Sequence, residues 1–264
     1  MATVFELSEP YRNHLVPVLQ RGAGVCSTCW TAVEPDYADC YQCHNSGGAH
    51  GRGCADIVVP IALAVKREQL AHELWHYKYD ADPRVRARLT VQLAAVLWRF
   101  LGDHETCVAG ACDISKFDIV TTVPGTRSHG GEHPLARMVG TIVGQTKDRF
   151  ERVLAQGACA GAGGREVRAD RFRATRRLEE RPAVLLIDDT WTTGGRALSA
   201  ALALREAGAA KIAVVVIGRH FDRTFGPGEA YYKTAKPRRF QWDTCCLDVP
   251  MGGATPPELS AGRR

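Results

Sequence analysis

What this 264-residue chain lacks narrows its possible roles before any motif is considered. No stretch approaches the ~20 consecutive apolar residues of a membrane-spanning helix, so no membrane role is expected. The first residues carry no basic run followed by an apolar core, so no secretory signal is expected and the cytoplasm is the default location. Gly140 and the segment Gly144-Gln145-Thr146-Lys147 resemble a nucleotide loop only superficially, because the glycine-to-lysine spacing of G-x4-G-K-[ST] is not met. A strong charge of one sign is also missing. The formal charge of +5 suits an anionic substrate or nucleic acid and demands neither.

Cysteine, by contrast, is plentiful. Ten are unusual for a reducing compartment unless some hold metal. Cys26, Cys29, Cys40 and Cys43 form two C-x2-C knuckles separated by a short polar segment, which is the spacing of a tetrathiolate zinc site. Four thiolates leave no open position, so the zinc would be structural. His44, His50 and Cys54 follow closely and are alternative ligands, ranked below the four cysteines. Cys245 and Cys246 are adjacent, cannot easily chelate one zinc alone, and are expected to be free thiols.

The chain is organised around the stretch from Pro182 to Gly208. Val184 to Ile187 is an uninterrupted apolar run, the pattern of a central parallel strand covered on both faces. Asp188 and Asp189 are expected where this strand leaves the sheet, and open α/β sheets bind ligands at the carboxyl ends of such strands. Thr190 to Gly195 then leads into a helix with Leu198, Ala201, Leu202 and Leu204 on its apolar face and Gly208 at its end. The loop is thus a helix N-terminus, an anion site supplemented by the hydroxyls of Thr190, Thr192 and Thr193, with Gly194 and Gly195 allowing close approach. Two aspartates beside a phosphate site imply a ligand with phosphate at one end and hydroxyls or a cation at the other. A sugar phosphate with Mg²⁺ fits.

Elsewhere, strands are expected at residues 56–64, 117–123 and 212–217, and helices at 5–19, 67–77, 86–101 and 134–143. The strand ending at Val123 runs into Pro124-Gly125-Thr126-Arg127, a loop that can present backbone N–H groups and one guanidinium to a diphosphate. Arg219 ends the last strand and is a weaker binding candidate. Residues 157–164 are rich in glycine and alanine and precede a run of arginines around Phe172, which suits a lid or a solvated linker. His72-Glu73-Leu74-Trp75-His76 matches the H-E-x-x-H pattern of zinc peptidases, although it lacks an identified third ligand. Tyr231 to Trp242 interleaves bases with aromatics, the composition of a single-strand nucleic-acid platform or of a packed C-terminal flap. Residues 251–264 read as a disordered tail.

Asp188-Asp189, two variable residues and Thr192-Thr193-Gly194 after an apolar run resemble the phosphoribosyl pyrophosphate (PRPP) motif of type I phosphoribosyltransferases. With the cysteine knuckles, Tyr77-Lys78-Tyr79-Asp80 and Arg171-Phe172-Arg173, most of residues 24–220 resembles the competence-associated, ComF-like branch of that family. The resemblance implies an α/β fold: a parallel sheet flanked by helices, with a small N-terminal zinc module built on four cysteines. Residues 1–55 would form the N-terminal helix and module, 56–250 the phosphoribosyltransferase-like domain and 251–264 the tail. It further implies that Asp188 and Asp189 orient the ribose hydroxyls, that Thr190, Thr192, Thr193, Gly194 and Gly195 hold the 5′-phosphate, and that Thr126 and Arg127 bind pyrophosphate. Mg²⁺ would accompany PRPP, a small nitrogen compound would be the acceptor, and Cys26, Cys29, Cys40 and Cys43 would bind structural Zn²⁺. The usual Arg-Gly-Phe-Asn segment is replaced here by Ser128-His129-Gly130-Gly131-Glu132-His133-Pro134. Three readings remain open: a transferase, a silent PRPP sensor or nucleic-acid-binding protein of the DNA-uptake type, and a zinc peptidase.

Overall fold

The computed structural model describes residues 2–46, 53–125, 133–159 and 166–248. Its centre is a four-stranded parallel sheet in the order β1-β6-β5-β2, with a two-stranded antiparallel hairpin, β3-β4, beside it. The strands are β1 (Ile57–Val65), β2 (Ile119–Thr122), β3 (Leu154–Gln156), β4 (Phe172–Ala174), β5 (Ala183–Trp191) and β6 (Lys211–Phe221). The helices are α1 (Val4–Ser8), α2 (Tyr41–Ser46), α3 (Gln69–Tyr79), α4 (Pro83–Gly110), α5 (Pro134–Arg137), α6 (Gly144–Lys147), α7 (Gly195–Ala207) and α8 (Gly228–Ala235). The expected α/β class and parallel sheet are present.

Alternation along the central strands divides the core between two faces. Leu185 and Ile187 join Val59, Val215 and Ile217 beneath α3 and α4, whereas Val184 and Leu186 join Val58, Val214 and Val216 beneath α7. Both sets are buried, as a parallel sheet covered on both sides requires. The chain passes from β5 through α7 to β6 on one face, and from β1 through α3 and α4 to β2 on the other. The crevice between β5 and β2, at their carboxyl ends, is therefore the topological switch point where such sheets take ligands.

Three helices differ from expectation, and the one expected over 134–143 is α-helical only at Pro134–Arg137 and continues as a π-helix over Met138–Ile142. Instead of one helix over residues 5–19, α1 begins with a capping box, in which Thr3 Oγ1 accepts from Glu6 N–H at 3.2 Å and Glu6 Oε2 accepts from Thr3 N–H at 2.7 Å. A 3₁₀ segment at Glu9–Asn13 follows, and then Val16 pairs with Leu63, whose N–H donates to the Val16 carbonyl at 2.9 Å. The outer edge of β1 offers hydrogen bonds that a longer helix would forgo, and pairing there closes an open sheet edge. The helix starting at Pro83 continues past Leu101 to Gly110, with Asp82 Oδ1 capping it through the Arg84 N–H at 2.8 Å.

Gly218 in β6 lies directly beneath Leu70 and Leu74 of α3. A Cβ there would lie 2.4 Å from Leu74 Cδ1 and 2.8 Å from the Cβ of Ala64. The absent side chain lets α3 settle on β6 and sets the height of Tyr77 and Lys78 over the end of β5. Gly218→Val is expected to force α3 outward and to lower unfolding free energy by about 3 kcal/mol, read as a reduced midpoint in urea with an unchanged slope.

Candidate active site and cysteine cluster

β5 does not end at the acids. Asp188, Thr190 and Trp191 remain paired with Val216, Gly218 and Arg219 of β6, whereas the pairing with β2 stops at Ile187. Asp188 to Trp191 is thus anchored on one side and open on the other, at the switch-point crevice. An open cavity of about 310 Å³ occupies this place, and its lining includes Lys78, Gly125, His133, Asp188 to Gly195 and Arg196.

The two aspartates have different environments. Asp189 is buried and accepts a hydrogen bond from the Tyr77 hydroxyl, while the Lys78 ammonium pairs with the same carboxyl oxygen. Burial opposes ionisation of Asp189, but the charge and hydrogen bond of Lys78, aided by Tyr77, hold its carboxyl below the usual range. Lys78 is likewise held protonated, because Asp189 and Asp188 outweigh its burial. Among the described residues Asp188 has no such side-chain partner and accepts only the Asp189 N–H, at 3.0 Å. Burial first, and then the negative charge of Asp189, push it from 3.8 to about 7, against the smaller pull of Lys78 and Arg196.

Thr192 and Thr193 follow β5, and Gly194 caps α7 with φ of +82°. Besides this left-handed backbone, close packing requires glycine: a Cβ would lie 2.1 Å from the Trp191 ring. Trp191 is buried at 1% exposure, so its ring packs beneath the loop that leads into α7. Gly195 is the first residue of α7, so helix N–H groups face the cavity where anion binding was expected. Sequence reasoning missed Arg196, whose guanidinium donates to the Pro124 carbonyl and lies 5.2 Å from the centre of the Phe172 ring. A cation in a helix's first turn opposes the helix dipole, and that was its signal in the sequence. Thr126 and Arg127 lie outside the described residues, as do residues 160–165 of the expected lid and the 251–264 tail. A second, more apolar cavity of about 510 Å³ shares Lys78, Tyr79 and Thr190 with the first and extends to His72, Trp75 and His220.

The sulfurs of Cys26, Cys29, Cys40 and Cys43 lie within 4.8 Å of one another, and the cysteines are free of disulfides. The sulfurs of Cys29 and Cys40 are 3.7 Å apart, near the separation found in a tetrahedral metal site. The cluster could hold a structural metal, and among the described residues neither His44 nor Cys54 joins it; His50 lies outside them.

Arg219, expected as a weak ligand-binding candidate, has another role. It is buried at 5% exposure, donates to Cys29 O at 3.2 Å and Cys29 Sγ at 3.4 Å, and donates to the Trp191 carbonyl at 3.2 Å. It ties the cysteine cluster to the loop at the end of β5.

The H-E-x-x-H residues do not assemble a metal centre among the described residues. His72 and His76 stack with centroids 3.8 Å apart, and His76 Nδ1 lies 2.6 Å from Asp80 Oδ2. Glu73 is buried and accepts from Gln69 Nε2 at 2.6 Å. In the C-terminal flap, Tyr231, Phe240 and Trp242 are buried, and the Tyr231 hydroxyl donates to Trp30 O at 2.8 Å. No helix among the described residues is long and apolar enough to cross a membrane.

Compared with protein-family models and with curated proteins, the chain finds no match in either.

The unequal aspartates predict opposite effects on stability. Because the folded state raises Asp188, it keeps a proton that the unfolded chain releases between 3.8 and about 7, so this contribution is lost as pH rises to neutrality. Asp188→Asn removes that cost and is expected to stabilise the ligand-free protein by about 1–2 kcal/mol at pH 8, with the gain shrinking toward pH 4. Asp189→Asn strands the buried Lys78 charge and is expected to destabilise by about 3 kcal/mol. Denaturant titrations of both variants at the two pH values check these signs.

Proposed function

We propose that the chain is a ComF-like type I phosphoribosyltransferase that binds PRPP with Mg²⁺ and transfers its phosphoribosyl group to a small nitrogen acceptor. One observation carries the reading: Asp188 and Asp189 adjoin the Gly194-capped N-terminus of α7 in a single cavity at the switch-point crevice. A ligand joining phosphate to a polyol through a short carbon frame matches that arrangement.

In this reading the 5′-phosphate accepts from the N–H groups at Gly194 and Gly195 and from Thr190, Thr192 and Thr193. Asp188 and the remaining acceptor capacity of Asp189 receive hydrogen bonds from the ribose hydroxyls. The site's donors are oxygens, as Mg²⁺ prefers, and among the described residues no cluster of three protein ligands surrounds it. A Mg²⁺ held by one carboxylate and substrate oxygens fits that set and would neutralise charge on the departing pyrophosphate. Arg196, with Thr126 and Arg127, would meet the pyrophosphate. The acceptor nitrogen forms its bond to the anomeric carbon as the carbon–oxygen bond to pyrophosphate breaks, and the electron pair leaves with pyrophosphate. Ionised Asp188 favours the positive charge that develops on the ribose ring. The adjoining cavity over Thr190 offers the acceptor an approach. The cysteine cluster would hold structural Zn²⁺.

The Lys78–Asp189 pair favours a second reading. By neutralising one of the two acids it weakens the field that assists departure of the leaving group, as in a PRPP sensor without turnover. Pyrophosphate release and calorimetric PRPP binding, measured with Mg²⁺ across amines and nucleobases, separate the two. The transferase reading expects release, with kcat/KM rising through about pH 7 as Asp188 ionises. It also expects a loss of about 10²-fold or more in Asp188→Asn, together with the pH limb. Binding without release under every acceptor supports the sensor. Failure to bind PRPP, or unchanged behaviour in Asp188→Asn, removes both.

A further inference from the structure

We propose that His104, Cys107 and Cys245 form a second metal site, separate from the four-cysteine cluster, that binds Zn²⁺ and staples the C-terminal segment to α4. Two of the ligands come from α4, where the spacing of three residues places them on one face. The third comes from the irregular chain beyond α8. Their ligand atoms lie within 4.8 Å of one another, and Cys107 Sγ is 3.9 Å from His104 Nδ1. A tetrahedral zinc with bonds of about 2.0–2.3 Å holds nitrogen and sulfur about 3.5 Å apart, so a small side-chain rotation closes the set.

The imidazole is already oriented for this role. His104 is buried at 3% exposure, and its Nε2 lies 2.7 Å from the Trp242 carbonyl. A carbonyl only accepts, so Nε2 carries the hydrogen and Nδ1 is the ring atom that faces the Cys107 sulfur. Zinc-ligating histidines are typically fixed this way, with the distal N–H on a backbone carbonyl. The Cys245 N–H donates to Asp248 Oδ2 at 2.5 Å, which fixes the turn that presents the thiol.

Charge balance agrees with the position. Two thiolates cancel the charge of a divalent ion, leaving a neutral complex that a largely apolar setting tolerates. Imidazole and thiolate are the donors that zinc selects over calcium or magnesium. Cys107 is half-buried, so the ion and a water for the fourth position can reach it from solvent. The segment so held carries Phe240, Trp242 and Cys246 into the core, yet no regular secondary structure fixes it.

The test is zinc content of the full chain, purified under reducing conditions and measured by plasma mass spectrometry, for wild type and Cys107→Ser/Cys245→Ser. About two zinc ions per chain are expected in the wild type and about one in the variant. Cobalt substitution should show correspondingly weaker thiolate charge-transfer absorption in the variant. Equal zinc in the two folded proteins overturns the proposal. If circular dichroism shows that the variant does not fold, alkylation of the wild type decides. Protection of Cys107 and Cys245 that mild chelation abolishes supports the site, whereas equal labelling with and without chelator, or a Cys107–Cys245 disulfide in place of metal, overturns it.

Discussion

The buried pair of Lys78 and Asp189, with the Tyr77 hydroxyl on the same carboxylate, is the interaction on which the candidate site depends. It joins the last turn of α3 to the far end of β5 across the face of the sheet. Two ions taken out of water are stable only while each keeps the other. The pair therefore holds the end of α3 against the strand that bears the cavity. It also divides labour between adjacent aspartates: Asp189 is committed to the fold, whereas Asp188 is left facing the cavity with its proton loosely held near neutrality.

Close packing keeps that arrangement in place. Gly218 lets α3 down onto β6, and Gly194 lets the α7 N-terminus fold over Trp191. Arg219 then passes beneath, binding the Trp191 carbonyl and Cys29 at once. The cysteine cluster is consequently attached to the loop at the end of β5 through a buried guanidinium. Trp30 strengthens the attachment by donating from its ring nitrogen to the Val58 carbonyl at 2.6 Å. A metal in the cluster would hold the backbone of Cys29 and, through Arg219, the floor of the cavity.

Local chemistry was legible wherever it was encoded by near neighbours. The run Val184 to Ile187, the glycines bounding α7 and the knuckle spacing of Cys26, Cys29, Cys40 and Cys43 all act over a few residues, and strand, helix and cluster appear as read. The ends of elements were less legible, because partners set them. β5 continues to Trp191 since β6 continues to pair with it, and the N-terminal helix stops early since the β1 edge accepts Val16. The aromatic residues from Tyr231 to Trp242 have the composition of a binding face, yet Tyr231, Phe240 and Trp242 are turned inward.

By itself, then, the sequence determined the alternation of strands and helices, the loop after β5 that forms the N-terminus of α7, and the four-thiol cluster, because periodicity, capping and chelate spacing are short-range properties. Only the tertiary structure decided which aspartate is paired and which is open, that Arg219 is a strut, and that Cys245 meets His104 and Cys107. Each of those depends on groups far apart in the chain, Tyr77 and Asp189 being 112 residues apart and His104 and Trp242 being 138 apart, brought together by the order of strands in the sheet and the fold of the C-terminal segment. Burial then changes what such groups do, since charge and proton affinity follow from neighbours that no local spacing specifies.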